Sequence, residues 1–155
     1  MKRLRLLLAA PLFLLAACTH APPLEAPEGF AELEAGDTYD YRATSASGVV
    51  IAVRSEDNEM NGNLEFWTAA LDYRLRKSGY AAVEEKPEKF MTDRGEVGRR
   101  LRYEASRGGR PHEYWVTVFV TDGKVVVVEA AGDKNFFDGD TKKRIDRAVK
   151  SLDLG

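Results

Sequence analysis

The chain is poor in the residues that usually carry chemistry. It has one cysteine, Cys18, in 155 residues, so no internal disulfide can form. It has two histidines, His20 and His112. A hydrolytic triad needs a base beside a nucleophile, and a zinc centre needs several His or Cys ligands. His112 supplies one piece of either, and it follows Arg107-Gly108-Gly109-Arg110-Pro111, which reads as a surface turn. The patterns H-E-x-x-H, G-x-S-x-G and the phosphate-binding P-loop are absent. The apolar run over residues 6–17 contains Pro11 and is too short for a membrane span of ~20 residues.

Charge of one sign is missing at the N-terminus. Residues 1–17 carry Lys2, Arg3 and Arg5 and no acid, whereas the rest holds 20 bases against 25 acids, a net of −5. The mean field of such a body repels phosphate, which argues against nucleic acid as a partner. At 44% apolar and 31% charged residues, the composition is that of one globular domain.

A basic start, an apolar run and small residues before a cysteine make residues 1–17 a signal peptide. Leu15-Ala16-Ala17-Cys18 resembles the lipobox of bacterial lipoproteins. The resemblance implies cleavage before Cys18, diacylglycerol on its sulfur and a third acyl chain on the new amine. A thiolate is the softest nucleophile available for that alkylation. Each buried methylene contributes about 0.8 kcal/mol, so two or three chains hold a protein to a bilayer almost permanently. Thr19 follows where Asp marks inner-membrane retention in enterobacteria-like sorting, which favours the periplasmic face of the outer membrane, with the periplasmic face of the inner membrane as the alternative.

Residues 18–35 form the expected lipidated start and tether. Pro22, Pro23 and Pro27 with Glu25, Glu28, Glu32 and Glu34 describe an extended, self-repelling spacer. Phe30 and Leu33 are candidates to dock on the domain at its far end.

Residues 36–155 read as one α+β domain. Strands over 38–44 and 48–54 form a hairpin, with Val49, Ile51 and Val53 at period two. Asn63 caps a helix whose stripe is Leu64, Trp67, Leu71 and Leu75, and Gly79 suits the left-handed residue that ends it. Short strands are expected over 80–85 and 88–92. Strand 97–106 sets Val97, Leu101, Tyr103 and Ala105 against Arg100, Arg102 and Glu104. Strands 113–121 and 124–131 join at Asp122-Gly123, a two-residue hairpin signal. Val125 to Val128 run consecutively, which implies cover on both faces. A helix over 138–152 closes the domain with Ile145, Ala148, Val149 and Leu152.

This order, carried by Gly48-Val49-Val50-Ile51-Ala52-Val53, Leu64-Glu65-Phe66-Trp67, Tyr103 and the 125–131 strand with its helix, resembles the PsbP-like α/β/α sandwich. Periplasmic lipoproteins of the DcrB type are similar in build. The resemblance implies an antiparallel sheet with two helices, no shared catalytic residues, no cofactor, and a binding or assembly role.

Three functional expectations follow. The first is a non-catalytic envelope module, anchored at Cys18, that binds a protein or cell-wall partner. Arg100, Arg102, Arg107 and Arg110 are its candidate partner surface. The second is a small-ligand or lipid carrier, which requires a closed apolar cavity of at least ~300 Å³ between sheet and helix. The third is a metal-assisted hydrolase, which requires the oxygen-rich loops 56–63 and 133–140 to converge on one ion. Against that, Asp and Asn in such loops also serve as helix caps. Phe137 and Arg144 fall where an EF-hand needs ligands.

Overall fold

The computed structural model describes residues 23–121 and 123–154. The signal segment and Cys18 lie outside the described residues. Eight antiparallel strands form one sheet: β1 (Phe30–Glu32), β2 (Tyr41–Ser45), β3 (Val50–Asp57), β4 (Ala81–Ala82), β5 (Glu88–Met91), β6 (Val97–Arg107), β7 (Arg110–Val120) and β8 (Lys124–Asp133). Their order is β1-β2-β3-β8-β7-β6-β4, with β5 also paired to β6. Helix α1 (Leu64–Lys77) covers one face and α2 (Gly139–Lys150) the other.

The alternation of side chains along each strand builds two cores. Ile51, Val53, Trp115, Phe119, Val126 and Val128 point toward α2, where they meet Phe137, Ile145, Ala148, Val149 and Leu152. Leu101, Tyr103, Val116, Val118, Val125 and Val127 point toward α1, beneath Leu64, Trp67, Leu71 and Leu75. The valine run of β8 is therefore buried on both faces, as its composition requires.

Both helices begin at the residues that chemistry favours. The Asn63 side chain accepts from Phe66 N at 2.9 Å and the Asp138 side chain from Thr141 N at 2.8 Å. Each satisfies an otherwise orphaned amide of the first turn. Gly79, at φ +90°, lets the chain leave α1 in the left-handed region.

The spacer expected over 18–35 is not a spacer from Pro23 onward. Leu24 is buried in the α2-side core. Asp153 N donates to Pro23 O at 2.7 Å, and Glu25 N donates to the Ser151 hydroxyl at 2.9 Å. Arg144 Nη1 donates to Glu28 O at 3.1 Å. Residues 23–28 thus lie along α2, and β1 then pairs with β2 as the edge strand. Proline and glutamate favour extended backbone, and here that backbone finds distant partners instead of water.

Candidate functional site

The four arginines expected to share a surface are divided by the sheet. Arg100 is not on the surface at all: its side chain is 2% exposed. Nε donates to the Thr117 hydroxyl at 3.0 Å, and the guanidinium pairs with Asp146 on α2. It lies 4.1 Å from the Phe90 ring centroid and 5.0 Å from that of Trp115. Burial pushes its pKa down, and the Asp146 carboxylate opposes that shift. It is a core residue whose charge is satisfied from another element.

Arg102 projects from the same face, over Trp115 at 4.9 Å, and pairs with Glu84 at 3.0 Å and with Glu88. Arg107 and Arg110 are opposite one another at the end of the β6–β7 hairpin, on the α1 side of the sheet. Arg110 approaches Asp133 at 3.5 Å.

On that side α1 lies over β6 and β7 and leaves the ends of β2, β3 and β8 uncovered. The result is an open cleft of about 380 Å³. Gly48, Val50, Ala52, Ala131 and Gly132 form its floor, and small side chains there are what make it concave. Tyr39, Arg42, Tyr80, Arg107, His112 and Tyr114 stand around it. A neighbouring concavity of about 370 Å³ continues past Tyr80, Arg107 and His112 to Ser78, Gly79 and Ser106.

The tyrosines are ordered by one another. Tyr80 and Tyr114 have ring centroids 5.0 Å apart, and the Arg42 guanidinium is 5.3 Å from the Tyr39 ring. Glu129 is held at the cleft wall by Arg54 Nε at 3.1 Å. Burial, with Glu129 nearby, raises the Tyr114 pKa well above the ordinary phenol value. The cleft therefore presents two guanidiniums, an imidazole and aromatic faces, with its one carboxylate, Glu129, paired to Arg54. This suits an acidic group carried on an apolar or sugar-like body.

His112 Nδ1 is 3.1 Å from Arg110 O, a neighbour two residues away. Among the described residues it makes no hydrogen bond to a hydroxyl, so His112 is not paired with a nucleophile here.

The acidic loops do not converge. Asp57 is opposite Lys124 at one end of β8, and Asp133 is at the other end, about 30 Å along the strand. Their side chains work locally. Asn58 Oδ1 accepts from Gly62 N and Trp67 Nε1, each at 2.9 Å, and Asn58 Nδ2 donates to Gly62 O at 2.9 Å. Asp133 Oδ1 accepts from Asn135 N at 3.0 Å. Among the described residues no three His, Cys, Asp or Glu side chains are grouped to hold an ion. The convergence that the hydrolase reading needed is overturned.

The space between α1 and the sheet, lined by Trp67, Ala70, Leu71, Val118 and Val127, is about 150 Å³. That is half of what the carrier reading required.

The solution structure of cyanobacterial PsbP from Synechocystis sp. PCC 6803 superposes with a TM-score of 0.60 at 15% identity, over 91% of this chain and 99% of that one. The fold is PsbP-like. LpqN, involved in cell envelope biogenesis of Mycobacterium tuberculosis, matches with a TM-score of 0.60 at 14% identity, over 85% of this chain and 79% of its own. A Pseudomonas aeruginosa protein of unknown function matches at 0.56 and 12%, over 88% and 85%. No family model and no curated protein matches the sequence. At these identities the PsbP-like likeness establishes the architecture, and no residue of the cleft is inherited from it.

The cleft was only partly legible in sequence. Arg107 and His112 stood out as residue types, but Arg42, Tyr39, Tyr80 and Glu129 gave no local signal. They come from three separate segments, around residues 39–42, 80 and 129, that only the sheet assembles.

Proposed function

We propose that this chain is a membrane-anchored, non-catalytic envelope protein that holds an acidic partner, protein or cell-wall component, in the cleft beside α1. The cleft carries the reading: cationic and aromatic side chains surround a floor of small residues, without a nucleophile and base in register. The lipobox at Cys18 supports the anchor, and Thr19 supports the periplasmic face of the outer membrane. The likeness to LpqN, a protein of cell envelope biogenesis, is consistent with that setting.

A photoreactive phenylalanine analogue placed at Arg42 or Arg107 of the full chain in living cells tests it. The expected result is a discrete crosslinked product from either position. Met60, 70% exposed at the opposite end of β8, serves as the control and yields none. Equal labelling from Met60, or no product from the cleft, overturns the reading. Mass spectrometry of the mature N-terminus tests the anchor separately.

A further inference from the structure

Three features near the start of the described chain bear on how the domain sits. The first is how few residues separate Cys18 from the fixed chain. Pro23 is already fixed to Asp153, five residues after Cys18 in the sequence. Five fully extended residues reach at most about 17 Å. A lipid on Cys18 therefore holds the Pro23 side of the domain near the headgroups.

The second is which side that is. Residues 23–28 lie along α2, from Ser151 back to Arg144. The anchor therefore leaves the domain beside the C-terminal end of α2.

The third is the charge of α2. Its buried side is Thr141, Ile145, Ala148 and Val149. Its exposed side repeats Lys143, Arg147 and Lys150 along the helix. The helix carries five bases against two acids, on a body whose overall charge is negative. Asp146 is committed to Arg100, and Asp140 stands 3.8 Å from Lys143. Glu25 and Glu28 flank the stripe on the neighbouring segment. Arg147 and Lys150 have no acidic partner among the described residues.

From these we infer that the outer face of α2 docks on the anionic headgroups of the bilayer that carries the anchor. The sheet then separates the membrane from the cleft, because α2 and the cleft are on opposite faces. Docking through α2 turns the cleft toward the compartment and away from the lipid. The mean negative field of the body does not oppose this at contact range, because charges farther away than the Debye length of about 8 Å are screened in physiological salt. The inference rests on the anchored reading above and goes beyond it by fixing an orientation.

The test uses the full acylated chain, purified from bacterial membranes and reconstituted in vesicles. One set contains phosphatidylglycerol with phosphatidylcholine, the other phosphatidylcholine alone. Amine-reactive labelling is read by mass spectrometry at each lysine. Lys143 and Lys150 are expected to react several-fold more slowly in anionic vesicles than in neutral ones, and to recover in high salt. Lys77, exposed on α1, and Lys124 are expected to react equally in both. The double variant Lys143→Glu and Arg147→Glu, both at exposed positions, is expected to lose the lipid dependence at Lys150, with rates normalised to Lys77, while still sedimenting with vesicles.

The N-terminal mass is read on the same sample. An unacylated N-terminus overturns the anchored reading, and this inference with it. An acylated chain whose Lys143 and Lys150 react equally in both lipids overturns the docking face alone. Equal protection of Lys77 and Lys124 also overturns it, because the domain would then have no fixed orientation.

Discussion

Arg100 on β6 and Asp146 on α2 form an ion pair across the interface between sheet and helix, with the arginine buried and the aspartate 39% exposed on its outer side. The pair ties the last element of the chain to the sheet, and the rings of Phe90 and Trp115 enclose the guanidinium. Arg100→Ala removes the pair, the Thr117 hydrogen bond and the stem that fills the space. Removing one partner of a buried pair costs about 3–5 kcal/mol, and the exposed carboxylate left behind places this case near the lower end. Arg100→Met keeps most of the volume and is expected to cost clearly less. Urea denaturation of both variants checks the order.

Asn58 fixes the loop that leads into α1 through three side-chain hydrogen bonds, to Gly62 N, Gly62 O and Trp67 Nε1. Each contributes about 0.5–1.5 kcal/mol net. Asn58→Ala is therefore expected to lower stability by about 2 kcal/mol. Trp67 fluorescence should shift before global unfolding, since the indole loses its acceptor. A variant with unchanged stability and emission would remove the loop's assigned role.

Gly98 lies under the Phe119 ring. A Cβ there would stand 2.7 Å from Phe119 Cε1 and 2.7 Å from Val118 O. Phe119 is fully buried, and a backbone oxygen cannot retreat like a side chain. Gly98→Ala is expected to destabilise by about 1–3 kcal/mol through overpacking. Thermal melting reads the change directly, and a neutral result would show that β6 can slide.

Three phenols should titrate late. Burial raises Tyr41 to about 12, helped by the Glu32 carboxylate. Tyr103 and Tyr114 are also raised, mainly by burial and next by the carboxylates of Asp72 and Glu129. Between the ordinary value of 10 and the native value near 12, the unfolded chain has lost a proton that folded Tyr41 keeps. Native protein then binds more protons, so stability falls as pH rises. The contribution is whole below pH 10 and is lost through the window toward 12. Phenolate absorbance followed against pH should show these three ionising above the ordinary phenol value, and a normal ionisation of all three in the folded protein would overturn the assignment.

The legibility of the chain divides along the same lines as its interactions. Asn63, Asp138 and Gly79 act where their residue types suggested, because a cap joins atoms a few residues apart. In β7, Trp115 and Phe119 enter the α2-side core and Tyr114 packs against the α1-side core, as period-two alternation requires. The loops 56–63 and 133–140 looked like one possible site, yet strand β8 keeps them apart.

What the sequence determined alone was local: helix starts and stops, the strand faces, the double burial of Val125 to Val128, and the α+β class. Tertiary structure decided that Arg100 is core, that residues 23–28 are bound to α2, and that Arg42, Tyr80, His112 and Glu129 share one cleft. The physical reason is the distance along the chain. Periodicity and capping are fixed by neighbours within a turn or two, whereas burying a charge or assembling a cleft needs groups from remote segments, and those meet only when the sheet has formed.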